Sequence, residues 1–239
     1  MKKAAINHRQ MRGTTALSVV ICLCLARGPV AAQSYIGVPS GFSGPGPWAT
    51  SVVATTNMGA GLGSKISHVV DGSGLSSASL TAVAAVSTPS NAWLSSNGDL
   101  SGEVTINLGQ SYVVDTLSMW NFSDGPGGQP RGSAGIQDLV VEYSTDGVNY
   151  TPLPGGPTQF DQVTGTAVTN APQVVDFAPV TANYFLLLIA SNWGNTSNTG
   201  FDEIGFGSVP EPGILAICSA LVVPGLGVLI RRTTALRKL

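Results

Sequence analysis

An all-β sandwich is the fold this 239-residue sequence predicts, and three observations lead there. Short stretches of alternating apolar residues, separated by turns bearing Gly, Pro, Asn and Asp, recur from Lys65 to Phe206. No stretch between Gln33 and Ser208 sustains a helical period; Ala78 to Val86 comes nearest, but it mixes Ala with β-branched residues. The strand count of seven or eight, with polar loops between, suits two packed sheets rather than a helical body.

The elements follow in order. Residues 1–32 read as a secretory signal: Lys2, Lys3, Arg9 and Arg12 precede the apolar run Ala16 to Ala26, and Val30-Ala31-Ala32 offers small residues for cleavage after Ala32. Residues 33–64 are rich in Gly, Pro, Ser and Thr, an irregular lead-in or a first edge strand around Ser51 to Thr55. The sandwich is expected over residues 65–208. Glu103 to Leu108 alternates with Val104, Ile106 and Leu108 facing a core, and a turn at Leu108-Gly109-Gln110 leads into a strand from Val113 to Trp120. Ile136 to Ser144 places Leu139, Val141 and Tyr143 on one face, and Asp146-Gly147 turns the chain back into Val148 to Tyr150. Val174 to Phe177 and Tyr184 to Ala190 add two strands, the second apolar on both faces and therefore central. Phe201 to Phe206 closes the body.

Residues 209–239 form a tail of a different kind. Pro210-Glu211-Pro212 is followed by an uncharged apolar stretch, Gly213 to Ile230, and then by Arg231 and Arg232. As a helix this stretch spans about 27 Å, the short end of what crosses a bilayer core. The basic end would stay cytoplasmic, leaving the body outside. This order of proline-flanked carboxylate, span and basic stop resembles the PEP-CTERM sorting signal of Gram-negative bacteria that make exopolysaccharide. The resemblance implies an exosortase-type processing enzyme as partner and an at least transient membrane attachment.

Charge separates the body from its ends. The whole chain has a formal charge of −2, but between Gln33 and Ser208 only Lys65 and Arg131 oppose twelve acids, a net of −10. Such a surface repels nucleic acid, which is set aside as a partner. Cys22, Cys24 and Cys218 all lie in the terminal segments, so the body has no thiol or disulfide chemistry.

The strands carry a second resemblance. Val69-Val70-Asp71-Gly72, Trp93, Val104 to Gly109, Leu117 to Asn121, Gly135 to Asp138, Tyr143 to Gly147 and Asp202-Glu203-Ile204 occur in an order similar to the discoidin-like, galactose-binding-like domain of coagulation-factor C-type modules. The resemblance covers Ile66 to Phe206. It implies a jelly-roll sandwich whose loops at one end bind glycans, lipids or proteins. It also implies a structural calcium held where the Asp-Gly loop meets a late acidic residue. Asp71 and Glu203 fall on those positions, with Ser73 and Ser76 as nearby oxygen donors; ordinary solvated turn carboxylates are the alternative.

For ligand contact the candidates are Trp120, Asn121, Arg131, Asn192, Trp193 and Asn195. Flat aromatic faces flanked by amides and a guanidinium suit a pyranose ring. Trp120 and Trp193 are equally readable as core rings, whereas Trp93 matches the core tryptophan of the resembling family. No residue is assigned a catalytic role. His68 is the only histidine of the body and no serine sits in a nucleophile elbow; Asp124, Asp138, Asp146 and Asp161 are available for a carboxylate pair, although strand and turn account for Asp138 and Asp146. The expectation is an exported envelope or extracellular-matrix protein that binds carbohydrate without catalysis. The alternatives are an adhesive matrix protein that binds proteins and, behind it, a polysaccharide-active enzyme.

Overall fold

A computed structural model describes residues 34–36, 52–125, 128–164 and 169–208. The expected signal, most of the lead-in and the sorting tail lie outside these residues. Among the described residues there is no α-helix, only a 3-10 turn at Ile66–Val69, and no helix long and apolar enough to cross a membrane. Ten strands make the fold: β1 (Ser34–Ile36), β2 (Val53–Thr56), β3 (Ala84–Ala85), β4 (Trp93–Leu94), β5 (Gly102–Asn121), β6 (Leu139–Ser144), β7 (Thr151–Pro152), β8 (Thr169–Asn170), β9 (Gln173–Ile189) and β10 (Gly200–Ser208).

Two long strands build both layers of this all-β sandwich. The first half of β5 lies between β2 and the second half of β9, which in turn pairs with β6 and, through β6, with β7. The second half of β5 lies between β10 and the first half of β9, with β1 and β4 also on β10. All these pairings are antiparallel. The expected turn at Leu108-Gly109-Gln110 is therefore a kink inside β5. Gly109 takes φ +81° and the register against β9 jumps between Asn107 and Tyr112, but the chain does not reverse. Val174 to Phe177 and Tyr184 to Ala190 are likewise parts of one strand, β9.

Alternation then fills the interior. Val104, Ile106 and Leu108 of β5 meet Phe185, Leu187 and Ile189 of β9, all buried, and Leu139 and Val141 of β6 join them. Phe185 stacks on Phe206 of β10 at 4.3 Å, tying the two halves together. Trp93 is fully buried, packs edge-on against Phe201 at 5.8 Å and donates its indole N–H to the Gly59 carbonyl. The hairpin after β6 differs from expectation in its return strand. Asp146 accepts backbone N–H bonds from Val148 and Asn149, wrapping those residues onto the turn, so pairing resumes only at Thr151 and Pro152.

Candidate functional site

At one end of the sandwich, segments 122–125, 128–136, 159–164 and 190–199 meet around the ends of β5 and β10. The side chain of Asn121, the last residue of β5, organises this meeting. Its Nδ2 donates to the carbonyls of Ile136 (2.8 Å) and Asp161 (2.9 Å), and its Oδ1 accepts from the N–H groups of Ile136 and Phe122. Asn192 similarly donates to the Asn195 and Asn198 carbonyls and to Thr199 Oγ1, and its Oδ1 accepts from the Gly194 N–H. Buried Asn195 donates to Ser133 Oγ and accepts from the Ser197 and Asn198 N–H groups. Three of the expected ligand-contact amides thus hold loops in place. A side chain that has spent its donors and acceptors on backbone has none left for a sugar hydroxyl.

Trp120 is displaced further from its expected role. It is fully buried against Leu75, Ala82 and Ala84, and its indole N–H donates to the Ala82 carbonyl at 2.8 Å. The ring bolts the 75–86 segment onto β5 and offers no face to a ligand. Trp193 and Arg131 remain partly exposed at the loop end. The Trp193 indole N–H donates to the Phe160 carbonyl (3.0 Å), and Arg131 Nε donates to the Ser123 carbonyl (2.6 Å). Together with Asn121, they frame the 160–163 segment: Gln162 Nε2 reaches back to the Arg131 carbonyl at 3.2 Å.

That segment forms one wall of a cavity of about 280 Å³, which Met119, Asn121 and residues 169–173 complete. Thr169 and Asn170 are pinned from behind as β8, paired with β3. Asn170 Nδ2 donates to the Asn121 carbonyl and to Asp202 Oδ2. Asp202 is buried and its Oδ1 also contacts the Ser87 hydroxyl, which is bonded to Ser123. Burial pushes the Asp202 carboxyl up to about 8; the Ser87 and Asn170 bonds act in the opposite direction, and Asp124 adds to the rise. The cavity wall therefore rests on a polar network built around a carboxyl that is mostly neutral near pH 7. Gln162, Asn170 and Gln173 are not singled out by the sequence, and Asp161 is singled out only as an available carboxylate. The polar Gln159 to Gln162 run beside Phe160 was the available signal, but nothing local shows that it meets Asn170.

A second site joins residues distant in sequence. The Gly72 N–H donates to Glu203 Oε2 at 3.0 Å, and Asp71 Oδ1 accepts from the Ser73 N–H while its Oδ2 contacts His68 Nδ1 at 3.0 Å. Glu203 is fully buried, and burial drives its carboxyl well above the usual range; the Gly72 bond opposes this, while Asp71 and Asp202 reinforce it. Among the described residues, Glu203 Oε1 and Ser73 Oγ are buried without a hydrogen-bond partner. Two orphaned oxygens facing an Asp-Gly loop fit a hard, oxygen-seeking cation such as calcium. No cluster of three or more His, Cys, Asp or Glu occurs among the described residues, so hydroxyl and backbone oxygens would have to complete the shell of any ion held there. Ser76 does not join this group: it is exposed, and its hydroxyl accepts from the Val83 N–H in the strip facing Trp120.

Comparison with known proteins places the chain. No curated protein sequence matches it significantly. Among solved structures it is similar to CBM32-1 of a family 31 glycoside hydrolase from Clostridium perfringens, at 16% identity and TM-score 0.47 over 67% of this chain and 96% of that one. It is also similar to the family 32 carbohydrate-binding module of NanJ from C. perfringens in complex with galactose, at 14% identity and TM-score 0.45, covering 67% and 96%. A third is chitosan-binding module 1 of a chitosanase/glucanase from Paenibacillus sp. IK-5, at 18% identity and TM-score 0.45, again covering 67% and 96%. Residues 64–201, more than half of the chain, match the F5/8 type C domain, and the protein therefore belongs to that family.

Proposed function

We propose that this protein is an exported, envelope- or matrix-associated module that binds carbohydrate through the loop end of its sandwich and performs no catalysis. The observation that carries the reading is a preformed cavity in an acidic, thiol-free body, one wall of which, the 160–163 segment, is held by Trp193, Arg131 and Asn121. A partly exposed indole offers a flat apolar face to a pyranose, and concave sites are where small ligands bind. The tail from Pro210 to Arg232 supports sorting by a PEP-CTERM signal, with an exosortase-type enzyme as processing partner, and residues 1–32 support secretion. Its polymer would then be the polysaccharide of the producer's own surface. Calcium held by Asp71, Ser73 and Glu203 would fix the first loop of the domain to its last strand. Retention of the full-length chain, purified in a sugar-free detergent, on immobilised matrix polysaccharide tests the central reading. Retention lost in Trp193→Ala is expected; retention on no surface polymer overturns the reading.

A further inference from the structure

One strand keeps an apolar outward face that the core does not explain. The run Tyr184 to Ala190 is apolar on both faces, and it lies in the middle of a sheet, between β5 and β6. Phe185, Leu187 and Ile189 fill the core, whereas Leu186 and Leu188 alternate to the other side and stay partly exposed. Val140 of β6, opposite Leu188, is 45% exposed on the same outward face. An antiparallel sheet with one wet face ordinarily turns polar side chains to the water.

Acidic residues border this apolar stripe. Glu103 of β5 lies opposite Leu188 on one side, and Glu142 of β6 lies opposite Leu186 on the other. No strand of this sheet half carries a Lys or Arg. One end of the stripe is closed by Tyr150, which reaches from the turn after β6 to a hydrogen bond with Thr105 of β5. Burial, then the nearby Tyr184, Asp146 and Glu103, push the Tyr150 phenol up against that bond. Across β9, β5 and β6 stand two strand spacings apart, about 10 Å, which is close to the diameter of an α-helix.

We propose that this outward face docks an amphipathic helix of a partner protein, its apolar ridge on Leu186, Leu188 and Val140 and its Lys or Arg flanks on Glu103 and Glu142. Charge selects the occupant. A second copy of this chain would set Glu103 and Glu142 against their own kind, whereas a cationic helix meets opposite charge on both flanks while it buries the two leucines. The face belongs to a hydrogen-bonded sheet, so little freedom is lost in ordering it. The inference does not rest on the carbohydrate reading.

Fluorescence anisotropy tests it, with a labelled Leu–Lys peptide of about 14 residues, its leucines at helical spacing, and the full-length chain in detergent. Peptide taken up by micelles is the same for every variant and cancels in their comparison. Glu103→Gln and Glu142→Gln should each weaken binding by about two- to fivefold, the range for exposed ion pairs. Val140→Lys, at an exposed position, should weaken it further, and Asp176→Asn, on the other half of β9, should leave it unchanged. With the unaltered chain, carbodiimide should couple peptide lysines to Glu103 and Glu142, a result that needs no variant to fold. A matched Leu–Glu peptide binding equally well, face variants binding as the parent does, or coupling at carboxylates off this face overturns the docking surface. Self-association of the chain that Val140→Lys abolishes also overturns it, because the face would then belong to a second copy.

Discussion

Asp202 is 1% exposed, between the Ser87 hydroxyl and the Asn170 carboxamide, so its proton is linked to folding. Its folded value near 8 exceeds the ordinary 3.8 because burial penalises the charge. Below about pH 4 both folded and unfolded chains are protonated here, and the group favours neither. Between there and about pH 8 the unfolded chain releases a proton that the folded chain keeps. Stability is therefore lost across that window, at up to about 1.4 kcal/mol per pH unit. Asp202→Asn keeps an oxygen for Asn170 and an amide for Ser87 Oγ, so urea denaturation should show the variant gaining on the parent as pH rises from about 5 to about 8. The tryptophans give a second expectation at this scale. Trp120→Phe keeps the buried ring but orphans the buried Ala82 carbonyl, costing about 1–2 kcal/mol with polysaccharide retention intact; Trp193→Ala should abolish retention at a smaller cost, because the Phe160 carbonyl it releases is only partly buried, and denaturation midpoints beside retention assays separate the two. In the sequence Trp120-Asn121 and Asn192-Trp193 read alike. What distinguishes them is the cover over Trp120, supplied from Ala82, 38 residues upstream, which no local pattern reveals.

At the scale of elements, the strands were legible and their continuity was not. Alternation in Glu103 to Leu108 and in Leu139 to Tyr143 identifies the buried face correctly because a period of two is a local property. Gly109 reads as a turn, yet β5 and β9 stay paired on both sides of it. The register jump bends the strand from one layer into the other, a long-range outcome that a glycine alone does not specify. Loop contacts behave the same way. Gly132 has φ +66°, and a Cβ there would lie 2.2 Å from the Val163 carbonyl oxygen. Gly132→Ala should therefore cost about 1–3 kcal/mol through backbone strain and displacement of the 160–164 segment. Because that segment is a cavity wall and holds the Trp193 indole, the same variant should weaken polysaccharide retention. A loss of stability with unchanged retention would show that the wall relaxes without moving.

For the whole molecule, the side-chain hydrogen bond that spans the most sequence among the described residues is Gly72 N–H to Glu203, across 131 residues. Asp71-Gly72 and Glu203 were legible as a pair through family resemblance, whereas Ser76 was not excluded until its bond to the Val83 N–H placed it on the Trp120 side. An ion between Glu203 Oε1 and Ser73 Oγ would tie the start of the domain to its final strand. It would also reverse the electrostatics there. Glu203 is held above its usual range by burial and by Asp71 and Asp202, so without metal its proton, like that of Asp202, makes folding weaken as pH rises. Calcium at this site would compete with that proton and so would bind more tightly at higher pH. At about a hundred times its dissociation constant, calcium should add about 2.7 kcal/mol to the stability of the full chain. Its effect on the melting midpoint should be larger at about pH 8 than at about pH 5. Glu203→Gln removes the titrating group and one anionic ligand, so it should abolish the calcium response while stabilising the metal-free chain at the higher pH. A midpoint rise of equal size at both pH values, or one that persists in Glu203→Gln, would place the ion elsewhere and leave Glu203 as a buried acid bonded, among the described residues, to the Gly72 backbone.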